Sequence, residues 1–104
     1  MLINSQRVAR GMVGNLDSIE ISGPFDFNDP QIDLIATQII EEGKNSLAFD
    51  FSKVTYVTSP GIACIVKVLK KIQSANGLLY ISNATADMRD LFRLAHIDRF
   101  IKFM

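Results

Sequence analysis

The sequence predicts an α/β domain: a mixed β-sheet with an N-terminal antiparallel hairpin, parallel βαβ units and packed helices. Two observations carry this. Short strand-like apolar runs at residues 18–22, 46–51 and 78–82 alternate with stretches of helical spacing at 32–40, 62–72 and 88–95, and strand–helix–strand order implies parallel pairing with right-handed crossovers. The extended run at residues 7–13 and the one at 18–22, by contrast, are separated only by turn residues, which predicts a hairpin.

Element by element, Arg7 to Val13 alternates weakly through Val8, Met12 and Val13 and carries two charged residues, which suits an edge strand. Gly14-Asn15-Leu16-Asp17 supplies the turn. Ser18-Ile19-Glu20-Ile21-Ser22 then alternates polar and apolar, the period of a half-buried strand, and Gly23-Pro24 is expected to stop it. Asn28-Asp29-Pro30 reads as a helix start, an Asx cap with proline at the first helical position. Ile32, Ile35, Ala36, Ile39 and Ile40 recur on one helical face, and Gly43 is expected to end the helix in the left-handed conformation.

Ser46 to Phe51 follows as a strand with Leu47, Phe49 and Phe51 on one side. Ala48 on the other side predicts a strand covered on both faces. A loop from Ser52 to Thr58 leads into a second helix, from Pro60 or Gly61 to Ala75. Its expected inner stripe is Ile62, Ile65, Val66, Leu69 and Ile72, with Lys67, Lys70 and Lys71 facing water and Asn76-Gly77 closing it. Leu78 to Ser82 is a short strand. A third helix from Thr85 to Ala95 buries Met88, Leu91, Phe92 and Ala95, and Phe100 to Phe103 adds a last short strand. With no repeat, linker or low-complexity tract, residues 1–104 read as a single domain.

Composition narrows the function. Of the 104 residues 48% are apolar, and a chain of this size buries roughly 60–65% of its unfolded surface, enough to fold without staples. Eleven basic residues balance eleven acidic ones, which argues against a nucleic-acid module working by phosphate neutralisation. One cysteine excludes an intramolecular disulfide framework and fits a reducing compartment. One Cys and one His do not make a Cys/His zinc centre, so no metal and no cofactor are expected. The longest apolar run, Ile62 to Val66, falls far short of a membrane span. The first ten residues, MLINSQRVAR, hold no apolar signal core. The expectation is a cytoplasmic protein without direct membrane insertion. No GxxxxGK[ST] or GxGxxG pattern occurs, and no nucleophile–base constellation accompanies His96; nothing reads as an enzyme.

Chemistry concentrates in Val54-Thr55-Tyr56-Val57-Thr58-Ser59-Pro60-Gly61. Pro60 suits the first helical position, which puts Ser59 at the N-cap. One reading makes Ser59 a cap alone, contributing about 1 kcal/mol. The other uses the free N–H groups and positive dipole end of the helix as a place for a phosphate on Ser59. Elsewhere, His96 reads as a helix C-terminal cap, Cys64 as a buried thiol, and Asp26, Asp29 and Asp33 as a cap and solvated faces. Of Phe25 and Phe27, at least one is expected in the core, and an exposed one would anchor a partner.

The stretch Asp50 to Ile62 resembles the signature of the STAS domain shared by anti-sigma factor antagonists. Gly23-Pro24-Phe25-Asp26 resembles the family's Gly-x-Leu-Asp, and Ser82-Asn83 through Phe100 its C-terminal helix and following turn. The resemblance spans residues 16–103. It implies a STAS (anti-sigma factor antagonist-like) fold and a protein that binds an anti-sigma factor, typically a serine kinase, until phosphorylation ends the interaction. The implied phosphoacceptor is Ser59, with Thr58 as second choice, and a PP2C-like phosphatase would reverse the modification. The implied partner-binding residues are Pro24, Phe25, Asp26, Thr58, Ser59, Pro60 and Gly61. Thr58 stands where the family has Asp, and Pro60 where it has Ser or Thr. The resemblance also admits a non-switching STAS subunit of a lipid-transport or other transporter complex. Many family members continue into another helix where this chain reaches Met104, so exposed apolar surface around Ile97, Phe100 and Ile101, and with it a homodimer, is expected.

Overall fold

The computed structural model describes residues 7–104; the part of the N-terminal reading that falls on residues 1–6 lies outside the described residues. In chain order the elements are β1 (Val8–Val13), β2 (Leu16–Phe25), α1 (Pro30–Glu41), β3 (Leu47–Val57), α2 (Ser59–Ser74), β4 (Leu79–Ser82), α3 (Ala86–Leu94), a 3-10 turn (Asp98–Phe100) and β5 (Ile101–Phe103). The sheet runs β1-β2-β3-β4-β5. The β1–β2 pair is antiparallel, from Val8↔Ile21 to Val13↔Leu16, and the remaining pairs are parallel. Because β2 to β5 follow in sequence order, right-handed crossovers bring all three helices to one face. There Ile19, Ile21, Leu47, Phe49, Phe51 and Ile81 meet the apolar stripes of the helices in one core. Ala48 is buried as expected, but by its strand neighbours rather than by a second helical layer: it lies between Ser18 and Tyr80 in register.

Two strands outrun their expected ends. β2 does not stop at Gly23-Pro24 but reaches Phe25, and the expected loop from Ser52 is strand through Val57. A single cause explains both. The β2–β3 register shifts between Glu20 and Ser22 and again between Gly23 and Phe25. Gly23 takes a φ of 79° that side chains resist, and at such an irregularity Pro24 needs no ladder hydrogen bond. The shifts also change which β3 side chains point inward. Phe51, Val54 and Val57 are buried and the residues between them are exposed, a spacing of three in which no strand period is legible.

The inner stripe of α2 is rotated from the expected one. Gly61, Cys64, Ile65, Val68, Leu69 and Ile72 are buried, whereas Ile62 and Val66 are only partly covered. Helix α3 likewise buries Met88 and Phe92, with Leu91 and Ala95 at the margin.

All three helices end in the same double hydrogen bond, with a left-handed residue at Gly43 (φ 88°), Asn76 (φ 60°) or His96 (φ 62°). For α3, His96 N–H donates to Arg93 and Ile97 N–H to Phe92. His96 therefore serves as a terminator, in a conformation that costs an ordinary L-residue roughly 1–2 kcal/mol. His96→Gly is expected to raise the melting temperature by a few degrees, after glycine's extra unfolded-state entropy is subtracted; thermal denaturation followed by circular dichroism checks it.

Of the three residues expected to form an apolar surface at the C-terminal end, only Phe100 is exposed. Ile97 and Ile101 are buried, because the 3-10 turn tucks Ile97 back under α3, while Phe100 is 48% exposed.

An ion network that the sequence did not reveal ties the hairpin to the end of α1. Asp17 is buried and receives Arg10 Nη2 at 2.9 Å and Lys44 Nζ at 2.8 Å. Arg10 also holds Glu42 at 2.6 Å. The hydrogen bonds from Lys44 and then Arg10 keep the Asp17 carboxyl below its ordinary range. A depressed carboxylate contributes stability above its unfolded pKa, and that stability is lost as pH falls through the folded value. In Asp17→Asn the melting temperature is expected to drop at pH 7 and to depend less steeply on pH below about 4, measured by acid-series thermal melts.

Candidate functional site

The strand–helix junction is built by β3, α2 and the end of β2. Thr58 is the last extended residue (φ −120°, ψ 179°), and its carbonyl accepts from Ile62 N–H at 3.0 Å. The helix thus begins one residue earlier than expected. Thr58, not Ser59, is the N-cap; Ser59 is the first helical residue and Pro60 the second. A cap side chain normally accepts from the second or third helical N–H. Pro60 has no N–H, and Thr58 Oγ1 makes no capping bond; it is a buried oxygen without a partner among the described residues. Ser59 and Gly61 keep the free amides that a helix start leaves over.

The other helices differ. Asp29 Oδ1 caps α1 by accepting Gln31 N–H at 2.9 Å, and Thr85 Oγ1 caps α3 by accepting Met88 N–H at 3.2 Å. Each also has an acidic residue in its first turn, Asp33 and Asp87, where α2 has none. The positive end of α2 is the one left without an anion or a cap.

The end of β2 meets this junction at Phe25. The carbonyl oxygen of Phe25 accepts Thr58 N–H at 3.1 Å. A Cβ on Gly61 would lie only 2.2 Å from the same oxygen. Glycine at residue 61 is what lets α2 start flush against β2, and this contact holds Phe25, with Pro24 and Asp26 on either side of it in the chain, against Thr58 and Gly61. Phe25 itself is fully buried, its ring 5.6 Å from Phe27, 6.1 Å from Phe49 and 6.0 Å from Phe51. Hence Phe25 and Gly61 do not present side chains to a partner. Strand alternation sends Phe25 inward, and the exposed residues are Asp26, Ser59 and Pro60, with Pro24 and Thr58 partly covered.

Arg7 braces the β2 end, a role with no local sequence signal. Its guanidinium lies 4.0 Å above the half-buried Phe27 ring, donates to the carbonyls of Pro24 and Ser22, and approaches Asp26 at 3.5 Å. Cys64, one turn into α2, donates to Asn28 Oδ1 at 3.5 Å. Burial pushes its thiol pKa up, which suits packing rather than reactivity. Beside the junction, Thr55, Tyr56 and Val57 of β3 face the α3 cap Thr85 and Asp87, Met88 and Leu91 of α3 across a cleft of about 360 Å³.

Residues 14–104 match the family model of the STAS domain. Among solved structures, the unphosphorylated form of the anti-sigma factor antagonist SpoIIAA superposes with a TM-score of 0.67 at 17% identity, over 93% of this chain and 86% of that one. The Bacillus cell fate determinant SpoIIAA in its phosphorylated form gives 0.63 at 14% identity, over 93% and 90%. The Thermotoga maritima protein TM1081 gives 0.69 at 19% identity, over 94% and 86%. At these identities the likeness establishes the fold. No curated protein matches the sequence, and no helix among the described residues is long and apolar enough to cross a membrane.

Proposed function

This chain belongs to the STAS domain family, and we propose that it is a regulatory binding module of the anti-sigma factor antagonist kind. An anti-sigma factor that is also a serine kinase docks on the junction, and phosphate on Ser59 ends the interaction. The observation that carries this reading is the exposed Ser59 hydroxyl on the uncapped, anion-free first turn of α2. Phosphorylation transfers the terminal phosphoryl of ATP to Ser59 Oγ; the new O–P bond replaces the β–γ bond, ADP leaves and the hydroxyl proton passes to the kinase. The added charge, about −1.5 to −2, meets the free amides and positive dipole end of the helix. The fold tolerates it. The surface a partner meets does not stay the same, because an anion now stands on the exposed first turn of α2.

Thr58 is the poorer acceptor, since its hydroxyl is buried. The chain acts by binding in the cytoplasm, and the chemistry belongs to the kinase and to a PP2C-like phosphatase that removes the phosphate. The test is incubation with an anti-sigma serine kinase and ATP, then mass mapping. Phosphate is expected on the Ser59 peptide and absent from Ser59→Ala. No phosphate on Ser59, together with binding that ignores Ser59→Asp, removes the switch. That outcome favours the second reading, a non-switching subunit of a lipid-transport or other transporter complex, for which Thr58 and Pro60 in place of the family's Asp and Ser or Thr speak.

A further inference from the structure

Strand β3 has two unlike halves. From Ala48 to Asp50 it is paired on both sides, and its last partner in β4 is Ser82. Beyond that point β2 stays paired through Phe25↔Val57, but β4 has ended. The chain turns off at Asn83 in a left-handed conformation (φ 64°) and enters α3. From Ser52 to Val57, β3 therefore has no neighbouring strand on the β4 side among the described residues. Such an edge is a template for another strand.

This edge does not face open solvent. Across from Thr55, Tyr56 and Val57 stand the first turns of α3, with Met88 buried, Leu91 half-buried and Asp87 exposed. Asp87 is the one charged side chain lining the cleft. Asp87 and Leu91 are one helical turn apart, about 6 Å, close to the roughly 6.6 Å between alternate residues on one face of a strand.

We propose that the cleft seats an extended segment of a partner protein, which pairs main chain to main chain with β3 in line with β4. It places an apolar side chain against Met88 and Leu91 and, two residues away on the same face, a basic one beside Asp87. An extended occupant is the one that satisfies an unpaired strand edge, and the lone carboxylate selects the basic residue. The site ends two residues before Ser59, so a protein docked on the junction reaches it without a gap. The inference rests on the strand edge and not on Ser59 as phosphoacceptor.

The experiment titrates acetyl-TVTVTKT-amide and acetyl-TKTVTVT-amide into isotope-labelled protein and follows amide shifts by NMR. Saturable shifts are expected at residues 52–57 and 85–91 for one of the two peptides. N-methylating alternate amides in one phase should weaken binding about tenfold, and in the other phase leave it intact. Replacing the lysine by glutamate should weaken binding several-fold, a difference that Asp87→Asn abolishes while the rest of the spectrum is retained. Ser59→Ala should bind the same peptide equally, which separates this result from the fate of the phosphoswitch. The proposal is overturned by absent or unsaturable shifts, by shifts centred on β1 or β5, or by N-methylation without effect in either phase. Shifts in the same cleft that depend on protein concentration without peptide also overturn it, because the occupant is then a second copy of this chain.

Discussion

If the proposed switch operates, Ser59→Asp is expected to bind the kinase about a hundredfold more weakly than the wild type, the equivalent of roughly 2.8 kcal/mol, whereas Ser59→Ala is expected to bind normally and take up no phosphate. A fixed anion buried against a partner costs several kcal/mol unless the partner supplies a cation, and a surface shaped for a neutral hydroxyl supplies none. The same substitution is expected to leave the protein slightly more stable. An acidic residue in the first turn of a helix contributes about 0.3–1 kcal/mol, and α2 has no acidic residue there now. Calorimetric titration and a thermal melt on the same sample read both effects. A variant that melts higher yet binds worse separates a switched surface from a damaged fold, and equal affinity for wild type and Ser59→Asp would end the switch hypothesis.

Gly61→Ala is expected to lower stability by about 3 kcal/mol, the upper range for overpacking a close contact, and the melting temperature by about 15 °C on the scale of a domain this size. Gly61 does not sit at positive φ; its need for hydrogen is purely one of approach. The added methyl would stand 2.2 Å from the Phe25 carbonyl oxygen and 3.1 Å from the Phe25 carbonyl carbon, both main-chain atoms with no rotamer to escape into. Relief requires α2 to back away from β2. That movement breaks the Thr58-to-Phe25 hydrogen bond and shifts the end of β2 relative to the start of α2, so partner affinity should fall along with stability even though no exposed group has changed. A melting temperature within a few degrees of the wild type would show that the junction is looser than its geometry implies.

Much of this protein was legible residue by residue. Helix α1 was, because Asp29-Pro30 and the spacing from Ile32 to Ile39 are local instructions. The helix ends were too, since Gly43 and Asn76 tolerate the left-handed turn that a terminator needs. The Ser59 segment declared itself by the passage from strand to Ser-Pro-Gly. Its cap was misplaced by one residue because Pro60 is acceptable in either of the first helical positions, and only the backbone at Thr58 settles which.

By itself, then, the sequence determined what local chemistry controls: the order of strands and helices, where the helices end, and which segment opens the second helix. Tertiary structure alone decided the rest. The slipped register between β2 and β3 hid the ends of both strands, Gly23 to Phe25 and Ser52 to Val57, the inward turn of Phe25 removed an expected contact surface, and partners distant in sequence gathered around Asp17. The early end of β4 opened an edge that no residue of β3 announces. The physical reason is common to all of these: periodicity and capping act over a turn or two of chain, whereas register, burial and edges are relations between strands, fixed only when separate segments come to share one sheet.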